Sequence, residues 1–473
     1  MSSTAFVTAR SDRRLRRPDW SGWRRTLAAA LLVSPSVLGP GASHARGQEP
    51  GVAERALSLD EAIAEALAGN AGLRIAADER TAAAAGARAA DAFLWPGVDF
   101  ESGLVSGVDP VFAFGTKLRQ SRFREADLAL DVLNDPNRID DWSTAVDVRW
   151  RALSPRLWAA RTAARNRSDA AGWSALRARE ATLLGVQERY WDAVRASAQR
   201  AAAEAAEAAS RATLERFERR QERGLLTDAD RLQAEAERAA AEAERINAER
   251  LERESRQELG VFLGWAPDLL PVPRDTLTEP IELGMPVFDP SLRSDLHALA
   301  GELEARGADR RRAALAYAPS VDAFGRFVSH AADPLESDAT DWSAGVALRW
   351  TAFDGFRRPA DLDRAESGVR IARTRYEQAL REARQQVDAA WRAVRSADRA
   401  YGAARSSRTA AEAAVRLLRR RFEEGLATPD ELLQAEARAV TARSRAVDAL
   451  TAWHVARARA EFVAAQTDSP EAP

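Results

Sequence analysis

Two stretches of this chain alternate apolar and polar side chains with a period of two. Over residues 142–150 the even positions are Trp142, Thr144, Val146, Val148 and Trp150, and the odd ones Ser143, Ala145, Asp147 and Arg149. Residues 342–350 repeat the pattern, with Trp342, Ala344, Val346, Leu348 and Trp350 set against Ser343, Gly345, Ala347 and Arg349. Such alternation places each set on its own face of a sheet. Nine residues is the length of a tilted transmembrane strand, and a Trp at either end suits the two water–lipid boundaries. Trp142, Trp150, Trp342 and Trp350 are therefore candidates for a membrane-interface girdle. A half-buried strand of a soluble sandwich alternates in the same way; the terminal Trp pair, present twice, favours the membrane. Weaker partner runs precede each stretch. Val98, Phe100 and Leu104 alternate with Asp99, Glu101 and Gly103, and Pro319-Ser320-Val321-Asp322 opens the second counterpart. A barrel interior lined by Asp99, Glu101, Asp147, Arg149 and Arg349 would be wet.

The pattern then changes to a helical one. Helices are expected from about 155 to 222 and from about 359 to 424, near 100 Å each at 1.5 Å per residue. In the second, Leu380, Val387, Val394, Tyr401, Arg408, Val415 and Phe422 mark a heptad. Ala383, Ala390, Ala397, Ala404, Ala411 and Leu418 follow three residues behind. Large residues facing Ala across a seam predict a coiled coil with close helix approach. Both helices end at matched turns, Gly224-Leu225-Leu226-Thr227-Asp228-Ala229-Asp230 and Gly425-Leu426-Ala427-Thr428-Pro429-Asp430-Glu431. Gly closes the outgoing helix in the left-handed conformation, and Thr227 and Thr428 cap the returning one, with Asp230 or Glu431 at its third position. The returning helices should reach about Leu263 and Phe462. Ser58-Leu59-Asp60-Glu61 is another capping box, opening a helix expected to run to Phe93 before Trp95-Pro96 stops it.

Strand pair and hairpin thus occur twice, offset by about 200 residues: Asp141-Trp142-Ser143 recurs as Asp341-Trp342-Ser343, and Trp191 as Trp391. The expected organisation is a signal peptide over 1–45, a first repeat over 46–264, a linker with six Pro over 265–290, a second repeat over 291–465, and a disordered tail over 466–473. The signal reading rests on Arg13, Arg14, Arg16, Arg17, Arg24 and Arg25 before an apolar run from Leu27 to Leu38, then Ser43-His44-Ala45. Without 1–45 the chain holds 62 basic and 69 acidic residues, a net charge of about −7, which leaves no basic surface for nucleic acid.

There is no Cys, hence neither disulfides nor a lipid-bearing thiol. No stretch approaches the apolar length of a membrane helix, so a membrane position requires a β-barrel. His297, His330 and His454 lack ligand spacing and are expected on surfaces or helix faces, so neither a metal nor a catalytic centre is expected. No Gly-rich phosphate loop is present, and no cofactor is implied.

This order of parts resembles the TolC-like outer membrane factor family over nearly all of residues 57–465. Leu57-Ser58-Leu59-Asp60-Glu61-Ala62, with Ala66-Leu67 and Asn70, looks like the family opening. Phe112-Ala113-Phe114-Gly115 is similar to a loop segment of some members. Phe353-Asp354-Gly355-Phe356 looks like the family's aromatic-Asp-Gly-Gly, with Phe356 in place of the last Gly; Ala152-Leu153-Ser154-Pro155 departs from it. The resemblance implies a homotrimer with four strands per protomer, a twelve-stranded barrel in the outer membrane and a hollow α-barrel across the periplasm. It implies a passive conduit of a tripartite efflux or type I secretion system, working with a periplasmic adaptor and an inner-membrane transporter. Gly224, Leu225, Thr227, Gly425, Leu426 and Thr428 would meet the adaptor, and Asp230 and Glu431 would narrow the pore. A second acid found one turn later in some members is Gln233 or Gln434 here, which implies a milder cation preference. The alternative is a periplasmic coiled-coil adaptor or structural protein without a pore, for which the two Trp-bounded strands have no use.

Overall fold

The computed structural model describes residues 53–281, 284, 288–334, 336 and 339–465. The expected signal peptide and tail lie outside them. Among the described residues, nine α-helices and six strands follow in order: β1 (Ala53–Leu57), α1 (Leu59–Gly69), α2 (Ala71–Asp91), β2 (Gly97–Gly107), α3 (Pro110–Arg119), α4 (Leu130–Asn134), β3 (Ile139–Leu153), α5 (Pro155–Gln221), α6 (Asp228–Leu263), β4 (Leu269–Pro273), α7 (Ser294–Ala314), β5 (Ser320–Ala331), β6 (Ala339–Arg349), α8 (Arg357–Glu423) and α9 (Pro429–Val463). Helix dominates. None of the described helices is long and apolar enough to cross a membrane.

The two long helices, α5 and α8, have 67 residues each and match their expected limits closely. Both lack interior Pro beyond the first turn, and Arg-to-carboxylate pairs three or four residues apart occur on each. In α6 the ladder Arg231–Glu235, Arg238–Glu242 and Arg245–Glu249 repeats every seven residues, at 2.9, 3.1 and 2.5 Å. Each such pair contributes only a few tenths of a kcal/mol. Packing contributes more: α6 folds back on α5, α9 on α8, and α5 also meets α2, α7 and α9. Of the predicted seam, Ala383, Val387, Val394, Tyr401 and Phe422 are buried.

The expected single helix from Ser58 to Phe93 is broken at residue 70. Asn70 has ψ 127°, caps α2 by accepting from the Leu73 N–H at 3.2 Å, and donates from Nδ2 to the Phe262 carbonyl at 2.8 Å. The break lets Gly69 pass against the end of α6. A Cβ on Gly264, which sits at φ +86°, would overlap the Gly69 carbonyl oxygen and lie 2.9 Å from its carbon. No local signal announces this crossing, because it depends on a partner nearly 200 residues away.

The Pro-rich stretch is likewise more than a joint. Residues Leu269–Pro273 pair in parallel with Ala53–Leu57. This ribbon covers a core of Leu57, Ala62, Ala66, Val186, Tyr190, Leu259 and Leu263. The Tyr190 hydroxyl donates to Asp275 Oδ2 at 2.7 Å, and the same oxygen accepts the Leu59 N–H at 2.7 Å. Burial, and then the Asp275 carboxylate, hold the Tyr190 hydroxyl well above the usual phenol range.

His454 marks the neighbouring helical layer. Its ring stacks on Trp191 at 4.2 Å and meets Trp453 edge-on at 5.0 Å, while Nε2 donates to the Thr278 carbonyl at 3.0 Å. Burial holds its pKa below the usual imidazole range, against the pull of the Thr278 carbonyl. The neutral ring is the folded form, so below about pH 6.5 the unfolded chain binds a proton that the folded chain refuses, and stability falls with pH. The thermal midpoint should therefore drop between pH 7 and pH 5, and His454→Gln should flatten that slope. An unchanged slope in the variant would remove His454 as its source.

Candidate channel wall and hairpin tips

The strands β2, β3, β5 and β6 form one antiparallel sheet in that order. Its register decides which side chains share a face. Val98 pairs with Val148, Phe100 with Val146 and Leu104 with Trp142; Val146 pairs onward with Phe327, and Phe327 with Trp342. All of these occupy one face, with Val346, Leu348 and Ala323. The other face carries Asp99, Glu101, Asp147, Arg149, Asp322, Arg326 and Arg349. Its charges pair across strands: Arg326 with Asp147 at 3.3 Å, Arg151 with Asp322 at 3.1 Å, and Arg149 with Asp99 at 3.7 Å. The five side chains expected to line a wet interior thus do share a face. So do Trp142, Trp150 and Trp342, on the opposite one, while Trp350 lies just past the end of β6.

The register adds what alternation could not. Trp342 stands level with Val146, four residues along β3 from Trp142, although the two Trp are counterparts in the repeats. The long connection from β2 to β3 also folds back over the charged face. Its helix α3 ends at Gln120, whose buried Nε2 donates to the Asp140 carbonyl at 2.8 Å, the Ala331 carbonyl at 3.1 Å and Asp141 Oδ1 at 3.2 Å. His330 lies beside them, Nδ1 3.1 Å from Asp141. It is buried on a strand, on neither the surface nor the helix face expected for it, whereas His454 does lie on a helix face, buried against Trp191. His297 stacks on Trp173 at 4.4 Å. Among the described residues no group of three or more His, Cys, Asp or Glu could hold a metal ion.

At the far ends of the helices both turns adopt the expected geometry. Gly224 and Gly425 have φ +69° and +74°. Thr227 and Thr428 each cap a returning helix through complete capping boxes. Asp230 Oδ2 accepts from the Thr227 N–H at 2.9 Å, and Glu431 Oε2 from the Thr428 N–H at 2.8 Å. These bonds, the backbone one first, hold the Glu431 carboxyl below the usual carboxylate range. Leu225 and Leu426 project outward, 65% and 63% exposed.

The tips differ where the sequence made them look alike. Leu433 is 7% exposed, whereas its counterpart Leu232 is 54% exposed. The asymmetry comes from the two hairpins packing together, with Phe217 stacked on Phe422 at 5.2 Å among Leu214, Ala234, Leu432 and Leu433. Gln233 Nε2 also donates to Asp430 Oδ1 at 3.4 Å, and Arg220 to the Glu423 carbonyl at 2.7 Å. Phe217 lies seven residues before Gly224 and Phe422 three before Gly425. Comparing the repeats position by position could not match them.

A family profile described as outer membrane efflux protein matches residues 291–463. Over this segment the chain is similar to outer membrane efflux proteins. The matched segment holds β5, β6, the second tip and the seam heptads. Solved structures extend the likeness of fold to both repeats. The outer-membrane channel OprN is 20% identical with a TM-score of 0.73, covering 92% of this chain and 98% of its own. The outer membrane protein VceC of Vibrio cholerae is 20% identical with a TM-score of 0.71, covering 86% and 96%. A membrane protein of Pseudomonas aeruginosa is 22% identical with a TM-score of 0.73, covering 86% and 93%. No curated protein matches this sequence. The TolC-like resemblance read from the motifs agrees with that profile and with the fold of these structures.

Proposed function

We propose that three copies of this chain close into a twelve-stranded outer-membrane barrel continued by a periplasmic α-barrel, forming a passive conduit for export of small molecules. The observation that carries this reading is the four-stranded sheet at the head of the long helices, apolar on one face and charged on the other. Its outer strands, β2 and β6, each keep one edge unpaired within the described residues. Exposed edges invite pairing, and closing a barrel with further copies removes them. The register supports closure. If Trp142 and Trp342 mark one membrane depth, their offset of four residues, about 13 Å, accrues over two strand steps of about 4.8 Å each. That corresponds to a strand tilt of about 50°, a stagger of the kind that closing a barrel requires.

In this reading the turns at Gly224, Leu225 and Thr227 and at Gly425, Leu426 and Thr428 meet a periplasmic adaptor, which joins the conduit to an inner-membrane transporter of a tripartite efflux or type I secretion system. The two exposed Leu offer apolar anchors. Asp230 and Glu431 surround the narrowest point, each lending one carboxylate oxygen to its capping box. The Asp230→Asn, Glu431→Gln double variant can still cap but carries no charge. In planar bilayers it should lose cation preference, by about twofold or more in the permeability ratio given the loss of a charged ring. Unchanged selectivity would move the constriction elsewhere.

The primary test is electron microscopy of full-length protein extracted from the outer membrane in detergent. A threefold particle with a hollow shaft about 100 Å long is expected. A solid rod, or protein absent from the membrane fraction, would replace the channel with a coiled-coil adaptor or scaffold.

A further inference from the structure

The corner between β6 and α8 breaks two local rules at one residue. Gly355 and Phe356 both adopt the left-handed conformation, at φ +68° and +64°. For Gly this is free; for a bulky aromatic residue it is a genuine outlier. Phe356 also occupies the N-cap of α8, where its side chain makes no capping bond and Ser, Asp or Gly would serve better. Packing does not compensate. Phe356 is 75% exposed and Phe353 70%, and the two rings meet edge-on, 5.3 Å between centroids. Strain held where it serves no packing points to function.

The surroundings suggest what the rings meet. The apolar face of β6 runs through Val346 and Leu348 to Trp350, directly before this corner. Trp350 turns its Nε1 to the Tyr317 carbonyl at 3.1 Å and leaves its ring exposed. Trp95, just before β2, is exposed at the same end of the sheet, where Gly97 pairs with Arg149. Arg357 follows Phe356 at once, its side chain 82% exposed. Aromatic rings beside a guanidinium, at the end of an apolar sheet face, fit the boundary between acyl chains and phosphate headgroups.

The geometry points to Phe353 and Phe356 as an aromatic wedge that enters the helix-side leaflet of the membrane, with Arg357 at the level of the lipid phosphates. This rests on the barrel reading and adds to it a protruding anchor outside the strands. The wedge fixes how deep the strand-to-helix junction sits, at a residue whose backbone would be more relaxed as Gly.

The chain has no Cys, so single-Cys variants take a nitroxide label at one site only. Full-length Phe356→Cys, Phe353→Cys, Val346→Cys and Leu225→Cys proteins would be reconstituted in vesicles of phosphatidylethanolamine and phosphatidylglycerol. Collisions with oxygen and with a water-soluble nickel chelate would then be compared. The Phe353 and Phe356 labels should favour oxygen several-fold over the tip label at 225, approaching the strand label at 346. Water-exposed labels at 353 and 356 with a lipid-exposed label at 346 would overturn the wedge and leave the barrel intact. Water exposure at 346 as well would remove the barrel reading. Immobile labels screened from both reagents would place a second copy of the chain over the pair, which also overturns the proposal. Phe356→Gly supplies an independent arm: its thermal midpoint in detergent should hold or rise while the label at 353 becomes shallower. A lower midpoint would show that the ring serves internal packing instead.

Discussion

Gly264→Val should strongly destabilise the folded protein, with a far larger loss of stability than a substitution at either tip Gly. Two effects act together. The left-handed backbone at φ +86° disfavours any side chain by about 1–2 kcal/mol. The added Cβ would also overlap the Gly69 carbonyl oxygen, so α1 and the end of α6 must separate. Their separation would open the core around Leu57, Ala66, Leu259 and Leu263 and strand the Asn70–Phe262 hydrogen bond. A combined loss above about 4 kcal/mol is expected, in the range that overpacking of a rigid site produces. Gly86→Ala is the matched control. A Cβ there meets nothing within 4 Å in mid-helix, so it should be neutral or stabilise by up to about 1 kcal/mol. Denaturant unfolding followed by Trp fluorescence reads both variants. Equal stability of the two would refute the crossing as a constraint.

The second large effect is functional. The Gly224→Val, Gly425→Val double variant should reduce export to background while trimers still reach the outer membrane. Both residues are left-handed, but a Cβ at either meets nothing within 4 Å. The penalty is thus local strain, about 1–2 kcal/mol per site. A helix of 67 residues packed along most of its length can absorb that by reshaping its last turn. Reshaping moves Leu225, Thr227, Leu426 and Thr428, the surfaces proposed to meet the adaptor. Substrate accumulation in cells, together with trimer on native gels of outer membranes, checks it. Loss of the trimer would mean that these Gly serve folding rather than docking.

Gly264 and the tip Gly share a backbone conformation and differ only in what stands nearby. That difference separates what this sequence determines from what the tertiary structure decides. Period-two alternation between Trp142 and Trp150, the heptads through Val387 and Val394, and the Thr227 and Thr428 capping boxes all appear in the folded chain as the sequence predicts. Each is local: a pleat, a helical seam and a first turn are set by residues a few positions apart. The family resemblance added an assembly to these parts. Other features depend on partners far along the chain. The break at Asn70 follows from Phe262 and Gly264. The parallel pairing of β1 with β4 joins residues more than 200 apart. The stack of Phe217 on Phe422 buries Leu433 and leaves Leu232 exposed, unequal fates for counterparts in a repeat. Periodicity assigns residues to faces; only the packed chain decides which face meets which, because that depends on register and crossing points that no short stretch of sequence contains.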